Sequence, residues 1–178
     1  METRRLRLFF GLPLPPDTRE ALGCWQRSFT GLEGWSRPEG LHLTLAFLGS
    51  RPVEALPALE ALAGTVATRH RAFDLDSTGL GTFSSGGSTR LLWLGVAPCR
   101  ALEDLAADLR GALEGTGEAM DPKPFRAHLT LARFRQARRL ADFADPPTLR
   151  FPAERLVLFE SQPQSRYTPL RAWNLRRV

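Results

Sequence analysis

Phe125-Arg126-Ala127-His128-Leu129-Thr130-Leu131-Ala132-Arg133 decides how this chain is read, because the stretch has a twin. His128-Leu129-Thr130-Leu131 repeats His42-Leu43-Thr44-Leu45, and an alanine follows each copy (Ala132, Ala46). The copies stand 86 residues apart in a chain of 178, and two of its three histidines occupy them. A repeat at that distance implies two related halves that face each other. Successive side chains of a β-strand point to opposite faces, so His and Thr, two apart, share one face while both leucines turn to the core. Each half then offers an imidazole and a hydroxyl from a rigid backbone. Two histidines, with an ordinary pKa of about 6.5, suit a reaction that needs an acid and a base together.

Composition sets the outer limits. At 19.8 kDa the chain fits one domain, residues 1–178, and 43% hydrophobic content is enough for a sizeable core. The formal charge is +5, and every basic residue except Lys123 is arginine. Arginine pairs with phosphate through a planar fork of donors, which leans toward a phosphorylated or nucleic-acid partner. Cys24 and Cys99 lack metal-ligand spacing and read as reduced core residues. The apolar run after Arg7 is broken by Gly11, Pro13, Pro15 and Pro16, so neither a leader peptide nor a membrane span is expected, and the cytoplasm is the default location.

Taken in order, residues 5–12 read as a strand. A helix capped by Asp17 or Thr18 runs to about Thr30, and a loop from Trp35 to Gly40 leads into the first motif strand. A second helix is expected from about Val53 to Thr68. His70, flanked by arginines, reads as solvated and without chemistry. Residues 72–83 read as extended and Ser84–Ser88 as a turn. That turn lacks the Gly-Lys-Ser/Thr ending of a phosphate loop. Arg90–Ala97 reads as a strand buried on both sides. Leu102, Leu105, Leu109 and Leu113 mark a helix from Arg100 to about Glu114. The second motif strand, a helical turn near 138–143, and strands near 156–160 and 168–175 complete an α+β order with antiparallel sheets. Phe9, Trp25, Trp93 and Trp173 read as core.

The doubled motif resembles that of the two-histidine phosphoesterases, specifically the RNA 2′,3′-cyclic phosphodiesterases, also called 2′-5′ RNA ligases (LigT-like). Further resemblance lies in Arg5-Leu6-Arg7-Leu8-Phe9-Phe10, Trp35, Leu91-Leu92-Trp93-Leu94-Gly95-Val96, Leu158-Phe159-Glu160-Ser161 and Tyr167-Thr168-Pro169-Leu170 with Trp173, so it spans essentially the whole chain. It implies a bilobal catalytic domain: two pseudo-symmetric antiparallel sheets flanked by helices, with a central cleft. It also implies hydrolysis of RNA 2′,3′-cyclic phosphate ends to 2′-phosphomonoesters, with reversible 2′-5′ ligation. His42 would be the proton donor to the leaving oxygen and His128 the acceptor from water. The implied partner is RNA with a cyclic phosphate terminus, tRNA fragments included. Two histidines supply the acid and the base, so no metal and no cofactor are expected, and a monomer is the default for a cleft enzyme of this size. One departure is Ala127, where the family usually has proline before the second motif's histidine.

Thr44 and Thr130 are placed to donate hydrogen bonds to non-bridging phosphoryl oxygens, and an arginine would add charge. Two arginines compete. Arg126 shares His128's face by alternation, whereas Arg133, favoured by the resemblance, reaches the cleft only if the strand ends or bulges before it. Phe47 stands at its place in the first copy. Tyr167, the one tyrosine, is a candidate stacking surface for a base. Three rival readings stand beside this one. A zinc enzyme would need a third ligand such as Asp121. An RNA-binding module would hold phosphate without turnover. A small substrate such as an ADP-ribose cyclic phosphate would use the same fold.

Overall fold

The computed structural model describes residues 3–83 and 88–177. Eight strands and three helices follow the chain: β1 (Arg5–Pro13), α1 (Pro16–Arg27), β2 (His42–Pro52), α2 (Leu56–Ala67), β3 (Phe73–Gly81), β4 (Ser88–Val96), α3 (Arg100–Gly115), β5 (His128–Arg139), β6 (Arg150–Ala153), β7 (Arg155–Gln162) and β8 (Arg166–Asn174). Short 3-10 turns fill Val53–Ala55 and Leu140–Asp142. Positions 84–87 of the expected turn lie outside the described residues, and Ser88 already opens β4.

The two expected antiparallel sheets are the halves of one eight-stranded sheet ordered β6-β3-β4-β5-β2-β1-β7-β8. Each motif strand is the inner edge of its half. The halves meet through β2 and β5 at the antiparallel pair Leu43↔Leu129, and both leucines are fully buried. One residue to either side, that register sets His42 opposite Thr130 and Thr44 opposite His128. The tetrapeptide repeat thus becomes a local two-fold centred on a leucine pair.

The helices bury apolar stripes against the leucine face of this sheet. In α3, Leu102, Leu105, Leu109 and Leu113 are buried at helical spacing; in α2, Leu59, Ala63 and Val66 are. Together with Leu22 of α1 they share one core with Leu43, Leu45, Leu129 and Leu131. Trp25 of α1 joins it and donates its indole N–H to the Ala144 carbonyl at 3.1 Å. The helices therefore cover one face and leave the histidine–threonine face open. No helix among the described residues is long and apolar enough to cross a membrane.

Several expectations change on contact with the structure. Trp93 is half-buried on the open face, beside Thr130, because β4 has its buried leucines (Leu92, Leu94) on the other side. Phe9 is buried, as expected, but in a separate cluster with Val157 and Phe159 on the open face. Cys24 is exposed on α1. His70 is not solvated: its Nε2 lies 3.0 Å from Asp108 Oδ2, which ties the end of α2 to α3. The short strand β6 pairs with β3 and carries Pro152, a residue that masks strands in a sequence.

Candidate active site

Strict alternation would send Arg133 to the core side, and one extra residue in β5 prevents it. Trp93 pairs with Thr130 and Leu92 with Ala132, so Leu131 and Ala132 together oppose a single step of β4. Both are buried, and Arg133 emerges on the face of His128 and Thr130. The first motif has the same device: Gly11 pairs with Thr44 and Phe10 with Ala46, which turns Phe47 into the cleft. The Leu-Ala step after each motif is therefore a bulge in both halves. In β5 the bulge is clamped from outside. Ser36 N–H donates to Leu131 O at 2.8 Å, Arg133 N–H donates to Gly34 O at 2.8 Å, and the buried Gln26 amide donates to Ser36 O and Leu131 O at 3.1 and 3.3 Å.

The two imidazoles are held alike. His42 Nδ1 lies 2.6 Å from Gly40 O and His128 Nδ1 lies 2.7 Å from Arg126 O, in each case the carbonyl two residues back. A carbonyl only accepts, so Nδ1 carries the hydrogen and each neutral ring keeps its Nε2 lone pair free. Burial pushes His42 down from 6.5 to about 4; the Gly40 carbonyl opposes this, and the charges of His128 and Arg133 add to it. His128 is lowered as well, first by burial and then by Arg133, against the pull of the Arg126 carbonyl. Both rings are neutral in the free protein near pH 7. His42 is further packed by Phe9 (ring centroids 4.6 Å apart), Tyr167 (4.7 Å, edge-on) and Phe159 (5.6 Å). His128 has Phe83 edge-on at 5.1 Å and Trp93 at 6.3 Å.

The cleft has two compartments that share Thr44, Phe47, Thr130 and Arg133. The one at His42 holds about 370 Å³ and is walled by Phe9, Tyr167, the polar groups of Ser36, Ser161 and Gln162, and Arg7, whose guanidinium lies 4.6 Å from the Phe47 ring centroid. The one at His128 holds about 620 Å³ and is basic, with Arg110, Lys123 and Arg126. The structure thus brings together His42, Thr44, His128, Thr130, Arg133 and Tyr167. Arg126 contributes its carbonyl to His128 and an exposed side chain to the larger compartment only. Asp121 lines the larger compartment, and among the described residues no three His, Cys, Asp or Glu side chains cluster as a metal site would require. Sequence reasoning missed Phe9 as a wall of the site, along with Ser36, Ser161 and Gln162. Nothing local marks those three; the sheet order delivers them.

Residues 15–164 match the model of the 2′-5′ RNA ligase superfamily. The chain belongs to that superfamily. A Thermus thermophilus protein named RNA 2′,3′-cyclic phosphodiesterase is 35% identical over 96% of this chain and 91% of its own length. A Geobacillus stearothermophilus protein of the same name is 34% identical over 73% of this chain, and the match spans 42% of that longer protein. Among solved structures, Escherichia coli LigT complexed with 3′-AMP superposes with a TM-score of 0.81 at 33% identity, covering 97% of this chain and 99% of that one. The superfamily member described here therefore shares its α+β fold, a curled antiparallel sheet with few helices, across nearly the whole chain.

Proposed function

We propose that this protein hydrolyses RNA 2′,3′-cyclic phosphate ends to 2′-phosphomonoesters by metal-independent acid/base catalysis, within a single bilobal catalytic domain. The observation that carries the reading is the matched pair of imidazoles. Each has Nδ1–H tied to a backbone carbonyl and Nε2 free, on one face of two motif strands that meet at Leu43↔Leu129. The relatives named RNA 2′,3′-cyclic phosphodiesterase support the substrate class.

The geometry translates into chemistry as follows. His128 Nε2 takes a proton from water as the water oxygen attacks phosphorus. The P–O3′ bond breaks, and O3′ receives the proton of His42 Nε2–H, leaving a 2′-phosphate. Thr44 and Thr130 donate to the non-bridging oxygens, and Arg133, in both compartments, offsets the charge that gathers there. His42 must enter protonated, which its burial opposes; the substrate's negative charge supplies the counter-pull on binding. The aromatic compartment of Phe9 and Tyr167 takes the terminal base. With a 5′-hydroxyl in place of water, the same groups form a 2′-5′ linkage.

The test is an oligoribonucleotide ending in a 2′,3′-cyclic phosphate, incubated with excess EDTA, with the product phosphate mapped. A 2′-phosphate is expected. A 3′-phosphate would exchange the roles of the two histidines. Tight binding without turnover would reduce the protein to an RNA-binding module.

A further inference from the structure

The local two-fold that relates the motifs sets Phe47 of the first where Arg133 stands in the second, each turned into the cleft by its Leu-Ala bulge. The first half nevertheless has a guanidinium at that place. Arg7 of β1 is two residues before Phe9 and shares its face. Its Cζ lies 4.6 Å from the centroid of the Phe47 ring. An aromatic face attracts a planar guanidinium laid over it, while the N–H groups, which radiate in the plane, stay available to an anion. Each half thus presents one guanidinium, Arg133 directly on a motif strand and Arg7 across a motif side chain.

Neighbouring arginines are committed elsewhere. Arg5 donates Nε–H and Nη2–H to Ser50 Oγ and O at 3.0 and 2.9 Å, and Arg51 pairs with Glu118 at 3.1 Å. Among the described residues Arg7 has neither a hydrogen-bond nor an ion-pair partner. The compartment it lines contains a second guanidinium, that of Arg133, and no carboxylate. Two like charges facing one cavity without a counter-ion favour the entry of anions. A single cyclic phosphate accounts for only part of this charge. Arg133, which reaches both compartments, and a protonated His42 already oppose it, whereas Arg7 reaches the His42 compartment alone. Displacement at phosphorus is in line, so the ribose of the leaving O3′ lies on the His42 side, a placement that rests on the proposed function. The next anionic group along that strand is the phosphate joining the terminal nucleotide to the one before it.

We propose that Arg7, laid on Phe47, binds that internucleotide phosphate and makes the site select the end of an RNA strand over a free cyclic mononucleotide. The guanidinium fork donates to the two non-bridging oxygens of the linkage, which a nucleoside 2′,3′-cyclic phosphate lacks. Phe47 is the positioning residue for Arg7, since its ring holds the fork against the compartment. The asymmetry of the repeat then has a use: Arg133 serves the phosphate that reacts, and the Phe47–Arg7 pair serves the phosphate that does not.

The experiment measures kcat/KM for three substrates with the same terminal base: a nucleoside 2′,3′-cyclic phosphate, a dinucleotide ending in that group, and the same dinucleotide with an uncharged methylphosphonate linkage. The readout is the ratio of dinucleotide to mononucleotide, which cancels losses common to both. Wild type should favour the charged dinucleotide about tenfold or more, and the methylphosphonate should lose most of that advantage. Arg7 is exposed, so its replacement spares the core. Arg7→Ala should bring the ratio to about one, and Arg7→Lys, which keeps the charge without the fork, to an intermediate value. Phe47→Leu should lower the ratio as well, with no further fall in the double variant with Arg7→Ala. A ratio unchanged in Arg7→Ala would overturn the proposal, because Arg7 would then act on both substrates alike or on neither. A wild-type advantage that survives the methylphosphonate, or no advantage at all, would also overturn it. Absence of hydrolysis of all three substrates by wild type is a different failure, that of the proposed function.

Discussion

Burial of His42 makes a measurable claim on stability. In the unfolded chain its imidazole titrates at 6.5, and in the folded protein at about 4. Between those values the unfolded state holds the extra proton, so stability is complete above pH 6.5 and is lost as the pH falls toward 4. At about 1.36 kcal/mol per tenfold change in proton affinity, the ceiling is about 3 kcal/mol, and about 2 for a ring that still touches the cleft water. Acid also weakens carboxylate ion pairs such as Arg150–Asp74 and Arg171–Glu60, so wild type alone cannot isolate the term. His42→Asn can. An asparagine amide sits where Nδ1 was, keeps a donor for Gly40 O, and does not titrate. Urea unfolding followed by tryptophan fluorescence, at pH 7 and pH 4 for both proteins, gives the comparison. The variant is expected to lose about 2 kcal/mol less than wild type over that interval. Parallel losses in the two proteins would refute the account of His42 as a ring held neutral by burial.

Because burial lowers both histidines, the free enzyme holds the productive pair, one ring protonated and one neutral, only at acidic pH. The kcat/KM profile should peak below pH 6.5 and fall as the pH rises, whereas the alkaline limb of kcat shifts upward as bound phosphate stabilises the imidazolium; a kcat/KM optimum above 7 would contradict this. Arg133→Ala should cost about 100-fold or more in kcat/KM, measured on a cyclic-phosphate oligonucleotide, and Arg126→Ala far less. Gln26→Leu removes the donor that clamps the Leu131–Ala132 bulge, and Gly34→Ala would place a Cβ 2.6 Å from Arg133 O. Each should reduce kcat/KM and add little to Arg133→Ala in the double variant; independent, additive losses would show that they do not act through Arg133.

The fold and the heart of the site were legible because a repeated tetrapeptide carries its own geometry. Alternation put His and Thr on one face in each copy, and the structure keeps them there. The same rule misplaced Arg133 until a bulge restored it. The Leu-Ala step is present in both copies, Leu45-Ala46 and Leu131-Ala132, but two adjacent apolar residues do not by themselves announce a bulge. Phe9 and Trp93 escaped for a related reason: on strands apolar on both faces, hydrophobicity does not separate a core wall from a cleft wall. Ser36, Ser161 and Gln162 come from loops and strand ends far apart in the chain. Only the sheet order, with β1 between β2 and β7, brings them to His42.

The account stands on two histidines acting as one acid/base unit, and single-turnover hydrolysis of an RNA 2′,3′-cyclic phosphate by His42→Ala, His128→Ala and the double variant tests that most directly. Each single variant should lose nearly as much rate as the double, with 2′-phosphate formation by wild type unaffected by EDTA, because removing either partner disables the unit. A single variant that keeps near wild-type turnover, or a wild-type rate abolished by chelator, would contradict it.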